Sequence, residues 1–408
     1  MNLKYGQKQI PFEFASEPRL FQIMEPPQAI DPQLFKQRIK NHLQQLNPDL
    51  SNPAVIVGDK TRLCGYPEYL PVVLDTLQEF GAAREKLVVY IAYGTHLRQS
   101  EEESLSAYGP TYQQYRFLHH DCADTDSFVH LGETKRGTDV FVRKDLLSSS
   151  FVLTFGALSH HYFAGYGGGR KLIFPGLGIK SAIYQNHRLF LDKAKKMLSR
   201  GCQAGRINGN PLAEDLDEIE RFKSADMAVH GILNSQGQVC DLLVGSGRDL
   251  FLKACARYGQ YCEIHANQRY EFVLASCGGF PKDINFIQSH KAIHNAAAFV
   301  KDGGQMLVLA QCRDGVGSKT FLPWLQLGSY QAAFEKLAQD YEGNGGTALA
   351  MMEKLKRIRI SVVTEIDDAT ALTIGFEKIS IEQAQTRIQK ASAPVAVIPN
   401  ASLLVNTY

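Results

Sequence analysis

The sequence lacks a charge excess of either sign and lacks long apolar runs. Its 44 lysine and arginine residues nearly balance 42 aspartate and glutamate residues, which leaves a net charge of +2. Such a chain has no global field to recruit nucleic acid or a membrane surface, so small-molecule chemistry is favoured. The N-terminus has no apolar signal region, and no apolar run approaches the ~18 residues needed to span a bilayer. We therefore expect a cytoplasmic protein.

Paired cysteine motifs are also missing. The 8 cysteines are scattered without a Cys-x-x-Cys pair, which excludes a zinc-ribbon spacing and a disulfide framework. We expect them to be reduced and mostly buried, as small apolar residues.

Short β-rich apolar runs alternate with helix-length amphipathic stretches along the 408 residues. This alternation predicts an α/β fold, and the length predicts two α/β domains with largely parallel sheets. We place an N-terminal domain at 1–265 and a C-terminal domain at 266–394. The segment 395–408 carries a further strand that could pair in the second domain or return to the first. The predicted strands lie at 54–57, 87–92, 140–142, 151–155, 272–275, 306–310, 358–363 and 395–398.

Several of these strands lead directly into polar loops. The first is followed by Asp59-Lys-Thr-Arg62, the second by Gly94-Thr-His96, and the fourth by a loop that contains His160 and His161. Ligand sites in open α/β sheets lie at the carboxyl ends of strands, so these loops could share one crevice. Taken alone, the first loop could be a solvated turn with Asp59 as a cap, and His96 could be structural.

The most informative stretch runs from Ser159 to Lys171 and contains Gly165, Gly167, Gly168 and Gly169. Glycine serves where the backbone bends tightly or approaches a ligand closely, although a plain connection would also use it. A dinucleotide-binding loop is disfavoured because Arg170 replaces the last small residue of that motif, and Phe174-Pro175-Gly176 interrupts the helix that should follow.

The second domain contains a predicted helix that begins near Pro281, with Asp283 as its N-cap. One polar stripe, which on most helices faces water, is formed by Gln288, Lys291 and Asn295. His290 and His294 form a His-x-x-x-His pair, but Lys291 replaces the glutamate of a zinc-protease motif. We therefore expect these two histidines to be structural or at the surface.

These motifs, together with Pro175-Gly-Leu-Gly178 and Asn186-His187, resemble the lactate racemase family in order and separation. The resemblance implies two α/β domains with an interdomain active-site cleft. It also implies a nickel-pincer nucleotide, pyridinium-3,5-bisthiocarboxylic acid mononucleotide with Ni(II). Lys171 would tether this cofactor covalently through a thioamide, and His187 would complete the nickel coordination from within a helix over 179–199. Cofactor contacts are implied for Asp59, Thr61, Gly168 and Gly169.

By the same resemblance, His96 and His161 are the acid/base pair of a 2-hydroxyacid racemase or epimerase. The hydroxyl loses its proton while hydride leaves the carbon, and the resulting 2-keto acid is reduced from either face. Arg62, Gln288 and Lys291 would contact substrate or cofactor. His160, which neighbours His161, is left open as the acting base.

The substrate is expected to differ from simple lactate. Ile287 stands where the lactate enzyme has a tyrosine, and Trp324, the single tryptophan, has no clear match to that enzyme's pocket tryptophan. Expected partners are a 2-hydroxy acid and the accessory enzymes that build the cofactor, with no nucleic acid and no membrane. The alternatives are a non-catalytic carrier of the cofactor and an NAD-type dehydrogenase.

Overall fold

The computed structural model describes residues 1–27, 29–391 and 394–407. The strands, numbered in chain order, are β1 (Asn2–Tyr5), β2 (Lys8–Pro11), β3 (Arg19–Leu20), β4 (Pro53–Gly58), β5 (Val88–Ala92), β6 (Arg116–His119), β7 (Phe128–Glu133), β8 (Asp139–Arg143), β9 (Phe151–Ala157), β10 (Ser159–His161), β11 (Gly165–Gly167), β12 (Leu191–Asp192), β13 (Met197–Leu198), β14 (Met227–Leu233), β15 (Val239–Gly245), β16 (Glu263–Ile264), β17 (Tyr270–Ser276), β18 (Val300–Leu309), β19 (Arg359–Val363), β20 (Glu377–Ile379), β21 (Val395–Ile398) and β22 (Val405–Asn406).

The helices are α1 (Pro32–Leu46), α2 (Tyr66–Glu79), α3 (Glu101–Tyr108), α4 (Thr111–Gln114), α5 (Lys144–Leu147), α6 (Lys180–Arg188), α7 (Pro211–Glu220), α8 (Gly247–Cys262), α9 (Phe286–Ala297), α10 (Leu322–Leu325), α11 (Tyr330–Gln339), α12 (Gly345–Arg357), α13 (Asp368–Ile374) and α14 (Ile381–Gln389). None of the helices within the described residues is both long and apolar enough to cross a membrane.

The chain divides into two compact units. The N-unit comprises Glu25–Leu189 and Arg206–Tyr261, and the C-unit comprises Met1–Met24, Phe190–Gly205 and Cys262–Tyr408. Tyr408, the end of the predicted 395–408 segment, lies outside the described residues. The division differs from the expected 1–265 domain, because the first residues and a middle segment belong to the C-unit.

The N-unit is built on a six-stranded sheet with the order β15-β14-β9-β4-β5-β6. Neighbouring strands are parallel except for β15, which runs antiparallel to β14. Every residue of β4 is buried, as expected for a central parallel strand that is covered on both faces. One of the covering helices, α1, begins at the N-cap Asp31 and buries Phe35, Ile39 and Leu43, which are spaced by one helical turn. The predicted strand 140–142 lies in β8, which pairs with β7 in a separate hairpin.

The C-unit is built on a parallel sheet with the order β20-β19-β18-β17-β21-β3. The terminal strand β21 pairs with β17, with Phe272 opposite Val395, so it belongs to this sheet and does not return to the N-unit. The short β3 pairs with β21 at the sheet edge. This long-range pairing explains why the first residues of the chain belong to the C-unit. Of the cysteines, Cys122 is half-buried and the others are buried, and all are free thiols.

Candidate active site

The loop after β4 is organised around a buried carboxylate. Asp59 is only 2 % exposed, and its Oδ1 accepts hydrogen bonds from Thr61 N (2.8 Å) and Thr61 Oγ1 (2.6 Å). Its Oδ2 lies 2.6 Å from His96 Nδ1, and Arg62 Nη1 lies 3.7 Å from Oδ1. Burial alone would raise the pKa of Asp59, but the His96 hydrogen bond and the Arg62 charge outweigh it and lower the pKa to about 2. Asp59 is therefore an anion that accepts a hydrogen bond from His96 and lies beside the Arg62 guanidinium.

His96 reaches this carboxylate from the loop after β5, because β4 and β5 are parallel neighbours with Gly58 opposite Ala92. A carboxylate only accepts hydrogen bonds, so His96 Nδ1 carries the proton and Nε2 is the basic nitrogen. Arg62 Nη1 lies 3.2 Å from the same Nδ1. Because both nitrogens carry protons, they do not hydrogen-bond to each other, and Arg62 acts on His96 only as a neighbouring charge. The His96 side chain is 44 % exposed, so its ring remains accessible.

Two buried tyrosines hold the end of β4 in place. Tyr66 Oη accepts from Gly58 N at 2.7 Å and donates to Phe155 O at 3.0 Å, which ties the end of β4 to β9. Tyr108 Oη donates to Gly58 O at 2.9 Å. The residue before Asp59 is thus fixed through both of its backbone groups.

The glycine-rich stretch forms the β10–β11 hairpin, with His161 opposite Gly165, and continues into a 3₁₀ turn at Gly169–Leu172. Ala164 N donates to His161 Nδ1 at 3.3 Å. The neutral His161 ring therefore carries its proton on Nε2, the opposite tautomer to His96.

His160 and His161 have different surroundings. Successive side chains of a strand point to opposite faces, and the His160 ring lies 5.0 Å from the Tyr258 ring and 5.2 Å from the Tyr166 ring. His161 instead lies 4.3 Å from the Phe163 ring.

Phe163 is the common neighbour of three residues predicted for the site. Besides His161, its ring lies 5.1 Å from the His187 ring and 5.8 Å from Lys171 Nζ. Burial lowers the pKa of Lys171 to about 7, with further lowering by the Arg62 and Arg170 charges. Burial, with the Lys171 charge, lowers the pKa of His187 to about 3. The environment therefore favours neutral forms of both the amine and the imidazole.

His187 lies in the last turn of α6, which is shorter than predicted. The helix ends at Arg188, and the remainder of the predicted 179–199 helix forms the β12–β13 hairpin, because Lys196 adopts a left-handed conformation with φ 50° that turns the chain. Asn186 Nδ2 donates to Asp215 Oδ2 at 2.8 Å. Asp215 also accepts from the hydroxyls of Thr134 and Thr138 at 2.6 and 2.7 Å. This buried network joins α6 to α7 and sets the position of the helix end.

Gly168 and Gly169 are explained by packing within the N-unit. A Cβ on Gly168 would lie 2.3 Å from Ala157 O, and one on Gly169 would lie 2.8 Å from the Phe251 ring. Close approach of the chain to itself thus requires glycine at both positions. Their contact with a cofactor stays a prediction.

The remaining predicted residues, Gln288 and Lys291, lie on α9 of the C-unit, where Lys291 Nζ donates to Gln288 Oε1 at 2.8 Å. Asn285 caps this helix, so the predicted Asp283 cap is wrong. Asp283 is instead buried and accepts from Gly6 N at 2.7 Å, because the N-terminal hairpin packs against it. Asn295 does not face water, as such a stripe does on most helices, since it is buried and donates to Ala401 O.

His290 is buried and His294 is half-buried, so neither is a surface residue. Among the described residues, no group of three or more histidine, cysteine or acidic side chains is arranged to hold a metal. A metal held by one protein ligand and a cofactor would not need such a group.

Comparison with known proteins places this chain in a family. The sequence-family model of the lactate racemase N-terminal domain matches residues 5–198. The sequence-family model of the lactate racemase C-terminal domain matches residues 265–404. The chain belongs to the lactate racemase family. Among curated members, the lactate racemase of Thermoanaerobacterium thermosaccharolyticum is 26% identical over 287 residues, which cover 70% of this chain and 65% of that protein. The lactate racemase of Lactiplantibacillus plantarum is 24% identical over 281 residues, which cover 68% of this chain and 64% of that protein. Both matches span slightly less than two thirds of the relative.

Solved structures of similar proteins share the two-domain α/β fold. The lactate racemase apoprotein from Thermoanaerobacterium thermosaccharolyticum matches with a TM-score of 0.90 at 20% identity, over 100% of this chain and 99% of that chain. A protein from Thermotoga maritima matches with a TM-score of 0.70 at 12% identity, over 93% of this chain and 99% of that chain.

Sequence reasoning missed several residues that hold the site of this lactate racemase family member in place. They are Tyr66, Gln99, Tyr108 and Asp215. Each acts through contacts with residues far away in sequence, so no local motif marks them.

Proposed function

We propose that the chain racemises or epimerises a 2-hydroxy acid, with His96 and His161 as its acid/base pair. One observation carries the proposal: the two imidazoles are held as opposite tautomers, His96 by Asp59 and His161 by Ala164 N. His96 therefore offers a basic Nε2 that can take the hydroxyl proton, and His161 offers an Nε2–H that can hydrogen-bond the substrate oxygen. Return of a proton requires the imidazolium form of the second histidine.

In one direction, His96 Nε2 accepts the substrate hydroxyl proton. The ionised Asp59 stabilises the imidazolium that forms and keeps the ring oriented. When the 2-keto acid is reduced on the other face, His161 returns a proton to the oxygen from its imidazolium form, in which Nδ1 is protonated and the Ala164 N contact is released, and it is left as a neutral imidazole. Proton exchange with solvent resets the two rings, and the roles exchange for the other enantiomer. Arg62 supplies a guanidinium for the substrate carboxylate, and Gln288 and Lys291 are proposed as further contacts.

The residues around Phe163 fit the nickel-pincer nucleotide. A Lys171 amine with a pKa of about 7 is substantially neutral near neutral pH and can form the covalent link. An imidazole that stays neutral at His187 keeps its lone pair for nickel. When bound, the cofactor would accept and return the hydride. Asp59, Thr61, Gly168 and Gly169 are proposed to contact its nucleotide part.

Ile287, which is half-buried at the start of α9, supports a substrate other than simple lactate. An aliphatic side chain cannot donate the hydrogen bond that a tyrosine would, so the pocket should favour a different substituent on the 2-hydroxy acid. We propose that the protein acts in the cytoplasm and receives its cofactor from accessory enzymes.

The test is to co-express the chain with the cofactor-building enzymes and to measure intact mass, nickel content and chiral conversion of a panel of 2-hydroxy acids. We expect an adduct on Lys171, about one nickel per chain and conversion of at least one acid. An adduct without any conversion would favour a carrier role, and the absence of both adduct and nickel would refute the proposal.

A further inference from the structure

Gln99 is a buried amide in an otherwise exposed loop. Its exposed fraction is 2 %, whereas that of Leu97, two residues earlier, is 92 %. Burying an amide is unfavourable unless its hydrogen bonds are satisfied, so the contacts of this side chain show what it does in the fold.

Both ends of the amide are used. Gln99 Oε1 accepts from Lys60 N at 2.9 Å, and Gln99 Nε2 donates to Ser104 Oγ at 3.0 Å. The orientation of the amide follows from chemistry, since Lys60 N can only donate and so must face the oxygen. Ser104 Oγ in turn donates to Ser100 O at 2.8 Å, which leaves its lone pairs for Gln99.

These contacts join the two loops that carry the Asp59–His96 pair. Lys60 directly follows Asp59 after β4, and Gln99 lies three positions beyond His96 after β5. The 2.6 Å contact between Asp59 Oδ2 and His96 Nδ1 therefore spans the same two loops that the amide bridges.

We propose that Gln99 is a positioning residue that fixes the geometry of the Asp59–His96 pair. Its importance for turnover rests on the proposed function, in which His96 is a base, but its effect on the pair does not. The variants to compare are Gln99→Met, which keeps the volume and loses both hydrogen bonds, and Gln99→Glu, which keeps the length and the acceptor. Gln78→Met is the matched control, because it removes a half-buried amide of α2 that bonds Leu74 O and Tyr115 Oη in the same unit.

The first measurement is the proton NMR signal of the His96 Nδ1–H, which is hydrogen-bonded to a carboxylate and is assigned by its disappearance in His96→Asn. We expect this signal to be lost in Gln99→Met and kept in Gln99→Glu and Gln78→Met. In cofactor-loaded protein, kcat of Gln99→Met should fall about 10- to 100-fold with KM nearly unchanged, because a small misplacement of a catalytic group is costly. Gln99→Glu should recover most of that loss.

A persistent His96 signal in Gln99→Met would overturn the proposal, whatever the activity. So would loss of the signal in Gln78→Met, because the effect would then be general loosening of the unit. If Gln99→Met alone loses the signal but the wild-type protein converts no 2-hydroxy acid, the positioning role stands and the proposed function fails.

Discussion

Replacing Asp59 with asparagine should change the tautomer of His96. Thr61 N and Thr61 Oγ1 both donate to Asp59 Oδ1, so the oxygen of the new amide should stay on that side. The NH₂ group would then face His96 Nδ1. Nδ1 would have to accept, the ring proton would move to Nε2, and the basic nitrogen would be lost.

Asp59→Asn should lower both kcat and the stability of the folded protein. A wrong tautomer in a histidine–carboxylate pair costs about 10⁴-fold in kcat in serine proteases, and we expect a fall of similar order here. The pKa of Asp59, lowered from 3.8 to about 2, corresponds to about 2 kcal/mol of stability. Because the folded pKa is the lower one, this stability is present at neutral pH and is lost as pH falls from 3.8 towards 2.

The assay is chiral conversion by cofactor-loaded Asp59→Asn, with loading verified by intact mass and stability by chemical denaturation. Asp226→Asn is the control, because Asp226 Oδ2 accepts from Val152 N at 2.8 Å at the amino-terminal end of β9, whereas Asp59 follows the carboxyl end of the neighbouring β4. Wild-type kcat in a fully loaded Asp59→Asn protein would refute the role of Asp59. An equal loss in both variants would show that the effect is not specific to His96.

Other predictions concern the groups near the proposed cofactor. Lys171→Arg should carry no adduct by intact mass, since arginine stays charged, whereas Lys180→Arg on the exposed start of α6 should keep it. In the wild-type protein, the rate of covalent cofactor attachment to Lys171 should rise about tenfold per pH unit up to about pH 7 and then level off. The reason is that the lowered pKa of Lys171 leaves a reactive neutral amine above that pH. An attachment rate that does not change with pH would contradict this. His187→Ala should keep the organic adduct but lose nickel by metal analysis, and full nickel content would remove its ligand role. Asp215→Ala should lower the free energy of unfolding by about 1–3 kcal/mol, because buried donors lose their acceptor; an unchanged denaturation midpoint would contradict it.

Local sequence patterns were sufficient for much of the fold. Apolar runs such as those of β4 and β17 indicated parallel strands, because a strand buried on both faces needs apolar residues at successive positions. The run at 140–142 lies instead in the antiparallel β7–β8 hairpin. The two-domain α/β class was confirmed by the structure. Helix ends were less reliable: α6 stops at Arg188, and the chain continues into the β12–β13 hairpin, where Lys196 is left-handed in the turn.

The sequence by itself determined which chemical groups are available and which segments carry them: His96, His161 and Lys171 stand in polar segments after predicted strands, and His187 stands in a predicted helix. Only the tertiary structure decided how they are arranged. The pairing of Asp59 with His96, and with it the His96 tautomer, depends on the register of β4 and β5. Tertiary packing also brings Lys171 and His187 to Phe163, whereas the His161 tautomer is set locally by Ala164 N. Tertiary structure likewise decided the place of the late strand β21, which pairs with β17 and β3. Local propensity is read within a few neighbouring residues, whereas strand pairing joins segments far apart in the chain, so the site geometry exists only once the sheet has formed.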